Sequence, residues 1–290
     1  MIKTFVQLLR IKHWVKNVFV IAPVIFARRF FDLPSLSLSL LAFLSFCLIS
    51  SAVYILNDIK DKECDMNHPK KKERPIASGR VSPGIAVLIG AVAMFCSLWL
   101  GVNLGPEFTW CLVIYAVVNV FYTFMGKHIA IIDVFCIAAS FSLRVLGGSY
   151  GIASEPSGWL IVTTFFLSLF LGFGKRRGEM LSLEENAINH REVLLSYDVS
   201  FLNSIIVSTG TVSIVLYALY TLDRVVIEQI GTKKLIYSVP FVTYGIFRYI
   251  LLMSKRKDAD PTDLVLHDAG MILSVSLWFI VVVLVIYFWR

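Results

Sequence analysis

The chain has 290 residues, of which 57% are hydrophobic, 13% aromatic and only 16% charged. Soluble domains carry about 25% charged residues, so a water-soluble globular enzyme is excluded, as are a disordered chain and a disulfide-stapled secreted domain. The net charge of +7 raises nucleic acid as a partner, but apolar runs beyond the roughly 18 residues that mark a membrane-spanning helix point to a lipid bilayer instead.

Nine spans are predicted in chain order, near 15–31, 36–56, 83–102, 108–125, 129–150, 157–174, 200–222, 235–253 and 269–289. The fold class is therefore an all-α, polytopic membrane helical bundle. Most of the 27 Lys and Arg fall at the N-terminus and in the connections 57–82, 126–128, 175–198 and 254–268. Lys and Arg resist translocation, so this set faces the cytoplasm. The location read from this pattern is the cell inner (plasma) membrane, with the chemistry on the cytoplasmic face. None of these connections reaches ~40 residues, where independent folding begins, so 1–290 reads as one integral-membrane domain. Cys47, Cys96, Cys111 and Cys136 lie in apolar stretches and Cys64 stands alone in a polar one; no disulfide framework is expected.

The first span opens with Lys16 and Asn17, which could reach a phosphate, although Lys16 equally suits snorkelling to the interface. The second span ends in Asn57-Asp58-Ile59-Lys60-Asp61-Lys62-Glu63-Cys64-Asp65. If the helix continues, Asp58, Asp61 and Asp65 share one face. Clustered carboxylates repel and call for a cation. Hard oxygen donors suit Mg²⁺, which typically takes one or two carboxylates plus substrate phosphates. A solvated helix end is the plainer alternative, but an acidic C-terminus opposes the helix dipole. The run from Asn67 to Gly79 follows, with His68, Lys70, Lys71, Lys72 and Arg74. It suits phosphate as well as topology and anionic lipid, with Arg74 the stronger phosphate candidate.

Tyr122 and Lys127 end the fourth span on the cytoplasmic side. Asp133 opens the fifth, and Arg144 lies on nearly the same helical face, ~16 Å further along the axis; Arg144 reads as structural. After the sixth span comes Lys175-Arg176-Arg177-Gly178-Glu179, and Tyr197-Asp198 closes that loop. Asp198 suits either the site or an N-cap, and so do Asp263 and Asp268 ahead of the ninth span. The five histidines show no paired spacing for zinc.

The motif Asn-Asp-x-x-Asp-x-x-x-Asp, followed by His-Pro-x-Lys-x-x-Arg-Pro-Ile-Ala-Ser-Gly, resembles the signature of the UbiA-type membrane prenyltransferase superfamily. Lys12-His13-Trp14-Val15-Lys16-Asn17, Gly174 to Glu179, and Asp260-Pro261-Thr262-Asp263 through Asp268 are similar to its decaprenyl-phosphate phosphoribosyltransferase branch. The resemblance covers essentially the whole chain. It implies a nine-span bundle with a cytoplasmic cavity open sideways to lipid. It also implies Mg²⁺-dependent transfer of a phosphoribosyl group from phosphoribosyl pyrophosphate to a polyprenyl phosphate lipid, releasing pyrophosphate, for cell-envelope arabinose donor synthesis. Asn57, Asp58, Asp61 and Asp65 match its Mg²⁺-pyrophosphate motif. The remaining candidate contacts are Lys16, Asn17, His68, Lys71, Arg74, Tyr122, Lys127, Lys175, Arg176, Glu179 and Tyr197.

One departure carries meaning. Aromatic prenyltransferases of the superfamily place a second acidic motif after the sixth span, where this chain has Lys175, Arg176 and Arg177. A reaction holding several phosphates needs fixed cations there instead. Prenyl transfer to an aromatic acceptor is the alternative within the superfamily. A transporter of anionic lipid or metabolite is the alternative outside it, although the charges crowd one face and leave the midplane nearly empty. Homo-oligomerisation is left open.

Overall fold

The computed structural model describes residues 2–67, 71–183, 192–255 and 267–289. Among them, eight helices are long and apolar enough to cross a membrane. They are α1 (Leu33–Lys60), α2 (Pro83–Leu104), α3 (Pro106–Phe124), α4 (Ile132–Gly151), α5 (Gly158–Leu183), α6 (Val199–Leu222), α7 (Val239–Lys255) and α8 (Ala269–Val283). The last runs on into a π-helical turn, Leu284–Phe288. The chain is an all-helical, multi-pass membrane protein.

Local chemistry sets where these helices begin. Asp32 accepts a hydrogen bond from Ser35 N at 3.0 Å, and Ser82 from Ile85 N at 3.4 Å. Asp198 accepts from the amides of Ser200 and Phe201, and Asp268 from Met271 N at 3.0 Å. Each side chain satisfies amides that the first helical turn leaves without partners. Prolines in the first turns of α1, α2 and α3 need no such donor. Asp198 and Asp268 thus serve as helix caps, one of the two readings open for each.

The expected first span, 15–31, departs from a continuous helix. It consists of a 3₁₀ stretch, Ile11–Val20, and a single α-turn, Ala22–Phe26, preceded by the helix Ile2–Leu8. Asn17 is the reason on the polar side: it is buried, and its amide donates to Cys47 Sγ and Ser50 Oγ, each at 3.2 Å. Pro23 limits continuation on the other side. The stretch 15–31 is thus helical in pieces, with Asn17, Val20, Val24 and Phe26 buried and Val15, Val18 and Phe31 exposed.

Contacts divide the chain into two units. The first comprises residues 1–24, 29–126 and 143–156; the second comprises 25–28, 127–142 and 157–290. Helix α4 contributes its first half to the second unit and its second half to the first.

In the first unit α1 packs along α2. Ser45 Oγ donates to Ser97 O at 2.9 Å and Ser97 Oγ returns the bond to Ser45 O at 2.8 Å. Small hydroxyl residues let two helices approach and cross-link inside a membrane. Phe46 meets Phe108 and Tyr115 edge-on, with centroids 5.8 and 5.6 Å away. Gly148 on α4 is a forced choice: a Cβ there would lie 2.1 Å from Val20 O. In the second unit α5 packs along α6 and α7 along α8. Their core holds Phe170, Phe173, Leu202, Ile206, Ile246 and Tyr249. Outward residues such as Phe95, Trp99 and Val102 are exposed, as lipid-facing side chains are.

Candidate active site

The acidic segment does not continue as one helix. α1 stops at Lys60, Asp61 takes φ −92° and ψ 9°, and a short turn, Lys62–Met66, follows. A helix end gathering carboxylates works against its own dipole, so a break there is physically favourable. The three aspartates consequently part ways. Asp61 accepts from Asn57 Nδ2 at 3.1 Å, one turn back. Asp58 and Asp65 are brought together by Arg74, whose Nη1 lies 2.9 Å from Asp58 Oδ1 and 2.5 Å from Asp65 Oδ2.

A second arginine completes this cluster. Arg10 forks onto Asp58, with Nε 3.2 Å from Oδ2 and Nη2 on Oδ1. Its guanidinium lies over the Tyr54 ring, 5.0 Å from the centroid. The carboxylate side chains of Asp58 and Asp65 are 3% and 4% exposed, against 15% for Arg10 and 26% for Arg74. The carboxylates are thus sealed, and the cations that cover them reach the surface. Arg10 was not legible as a site residue: it lies 48 positions from Asp58, in an N-terminal stretch whose charges topology alone explains.

The donor set fits Mg²⁺ by its chemistry. One nitrogen of Arg74 touches an oxygen from each of two buried aspartates, which gives the two carboxylates a common cationic partner. Among the described residues no group of three His, Cys, Asp or Glu side chains could hold a metal on its own. Mg²⁺ is typically held by one or two carboxylates together with substrate phosphates.

The other expected residues spread over both units. Lys16 is half-buried in the 3₁₀ stretch. Asn17 is buried, and its Oδ1 accepts from Arg144 Nε at 2.6 Å while Arg144 Nη2 donates to Tyr115 Oη at 2.8 Å. Arg144 is therefore held inside the first unit, as its structural reading expects. Lys71 lies one turn ahead of Arg74, whose amide donates to Lys71 O at 2.9 Å. Tyr122 stands in the last turn of α3 and Lys127 follows in the turn Gly126–His128. His68, Lys70 and the segment from Asp260 to Asp263 lie outside the described residues.

In the second unit Arg176, Glu179 and Tyr197 do meet, around Asp133. Arg176 Nε donates to Asp133 Oδ2 at 2.6 Å, and its Nη1 contacts Glu179. Tyr197 Oη donates to Asp133 Oδ1 at 2.7 Å and accepts from Ile131 N at 2.6 Å. Burial pushes the Tyr197 phenol well above its ordinary range, which keeps it a donor. Arg176 and Asp133 are 1% and 0% exposed. Arg177 turns away, donating to Met253 O at 2.8 Å and Asn203 Oδ1 at 2.6 Å. Lys175 is half-buried on α5. Arg176 and Arg177 are thus both committed to protein partners.

Comparison with known proteins agrees with this geometry. The sequence profile of the UbiA prenyltransferase family matches residues 18–275. The chain is 30% identical to a decaprenyl-phosphate phosphoribosyltransferase of Corynebacterium glutamicum, over 97% of this chain and 86% of that one. It is also 30% identical to one of Mycobacterium tuberculosis, over 94% and 91%. Its fold is similar to a UbiA homologue from Archaeoglobus fulgidus solved with DMAPP and Mg²⁺, with a TM-score of 0.74 and 17% identity, covering 98% of this chain and 99% of that one. The chain belongs to the UbiA prenyltransferase family of membrane transferases.

Proposed function

We propose that this chain transfers a 5-phosphoribosyl group from phosphoribosyl pyrophosphate to a polyprenyl phosphate in the membrane, releasing pyrophosphate on the cytoplasmic side. The observation that carries the reading is 30% identity, over 97% of the chain, to a relative named for that acceptor and that group. The Arg10–Asp58–Arg74–Asp65 cluster supports it, because it combines metal-seeking carboxylates with guanidiniums that fork onto phosphate.

Asp58 and Asp65 would hold Mg²⁺, which when bound neutralises the diphosphate leaving group; Asn57 and Asp61 are hydrogen-bonded to each other one turn away. Arg10 and Arg74 turn toward phosphate oxygens and fix the donor's orientation. The acceptor's phosphate oxygen attacks the anomeric carbon as the bond to pyrophosphate breaks. That oxygen is largely ionised at neutral pH, so no side chain must remove a proton from it. Positioning and electrostatics supply the rate.

A radiolabelled assay tests this directly. Membranes containing the chain should move label from phosphoribosyl pyrophosphate to polyprenyl phosphate, and Mg²⁺ removal should stop it. Activity with an isoprenyl diphosphate and an aromatic acid, without any from phosphoribosyl pyrophosphate, would place the chain with the aromatic prenyltransferases instead.

A further inference from the structure

We propose that Arg10 decides the order in which the acidic cluster takes its ligands: it makes the cluster refuse a bare divalent cation and accept one only together with diphosphate. This rests on the reading that the cluster holds a metal with a diphosphate.

Three features of Arg10 set it apart from a surface cation. Its backbone adopts φ 51° and ψ 45°, a left-handed conformation unfavourable for a residue with a Cβ. Its guanidinium lies against the Tyr54 ring, which fixes the plane of the fork. Both Asp58 oxygens receive that fork, and Oδ1 also receives Arg74. Three guanidinium contacts thus lie on the oxygens a metal would use at Asp58, and a metal arriving there competes with them.

Charge makes the displacement selective. Two guanidiniums face two nearly buried carboxylates, so Arg10, Arg74, Asp58 and Asp65 sum to zero. A bare divalent cation would leave two positive charges uncompensated beside poorly hydrated groups, which is costly. Arriving with diphosphate, the same cation brings its own negative charge, and the released guanidiniums gain phosphate oxygens as new partners. The arginine thus trades Asp58 for phosphate only when both ligands are present. Without its charge the cluster would be net negative and would seek a cation alone. Arg74 has a different geometry, bridging Asp58 to Asp65, so its loss would also separate the carboxylates. Arg10 touches only one of them and isolates the charge effect.

The test uses full-length protein in detergent, with Mn²⁺ as the metal probe read by electron paramagnetic resonance and inorganic pyrophosphate as the anion. Arg10→Gln should bind Mn²⁺ alone roughly tenfold more tightly than the parent, and Mn²⁺ with pyrophosphate more weakly by a similar factor. Arg10→Lys keeps the charge and loses the fork, so its affinity for Mn²⁺ alone should stay as weak as the parent's. Tyr54→Leu loosens the guanidinium without removing its charge, so its affinity for Mn²⁺ alone should also stay as weak as the parent's. A purely structural arginine would instead weaken both measurements in both Arg10 variants. Unchanged or weaker Mn²⁺ binding in Arg10→Gln overturns the proposal, as does Mn²⁺ binding that survives Asp58→Asn. Thermal melting of each variant confirms the fold, and Arg10→Met, which also removes the charge, decides the matter if Arg10→Gln does not fold. Neither probe contains ribose or lipid, so failure of phosphoribosyl transfer leaves this result standing, and the reverse holds too.

Discussion

Each unit of the molecule carries a cluster of arginine and aspartate, and the two differ in what covers them. In the first unit the carboxylates of Asp58 and Asp65 are buried, while Arg10 and Arg74 are 15% and 26% exposed. In the second unit both Arg176 and Asp133 are sealed, at 1% and 0%. The same ion pair chemistry therefore serves different ends. Partners that reach the surface can exchange a carboxylate for an incoming phosphate. A fully desolvated pair cannot exchange without leaving a charge stranded, so it locks α4 to α5 and, through Tyr197, the segment before α6. Exposure of the cation is what distinguishes the two clusters, and the proposed function assigns phosphate exchange to the first.

The sharpest way to break this comparison is Asp58→Asn. It should reduce phosphoribosyl transfer to background in the radiolabelled assay, while the protein still purifies folded. Asp133→Asn should do the opposite: it takes from buried Arg176 its buried carboxylate, leaving the partly exposed Glu179, and should destabilise the chain by about 3 kcal/mol, read as a lowered melting temperature in detergent. The paired change Asp133→Leu with Arg176→Met should recover most of that loss, since a packed apolar pair replaces the ion pair. Persistent loss of activity in a stable double variant would show that the second cluster exchanges as well, and the comparison would fail.

Gly148→Ala probes the first unit away from its charges. The added methyl group meets Val20 O, and displacing the segment that carries Asn17 should cost about 1–3 kcal/mol by overpacking, measured by melting. The smallest expected effect concerns pH in the second unit. Asp268 receives Arg248, with contacts at 3.0 and 2.9 Å, which together with the α8 amides holds its carboxyl down at about 2, below the ordinary 3.8. A depressed folded-state value means its stabilisation is complete above pH 3.8 and is lost as pH falls through about 2. Melting curves of the parent and Asp268→Asn should therefore differ at neutral pH and converge in acid.

Much of the architecture was legible before any coordinates. Hydropathy located all eight continuous spans, because burying a run of apolar side chains in lipid is a local property of the run. It did not show that 15–31 would be broken into a 3₁₀ stretch and a single α-turn around Asn17 and Pro23. The site was legible in part. Asn57, Asp58, Asp61, Asp65 and Arg74 sit within one stretch and announce themselves by spacing. The three aspartates were expected to align on a continuous helix, and the break at Asp61 sends them to different partners instead. Arg176 was expected to face phosphate because it sits among cations after the sixth span; its partner, Asp133, is 43 positions away, and nothing in either stretch advertises the pairing.

What the sequence determined by itself depends on neighbours along the chain: which runs lie in the membrane and which motif places the chain in its family. Only the tertiary structure decided which charge meets which. Hydropathy and capping act over one or two helical turns, whereas Arg10 with Asp58, and Arg176 with Asp133, are joined by the packing of separate elements. An isolated basic count of 27 says nothing of that. Folding divides those cations into ones that guard a carboxylate and ones that are locked to it.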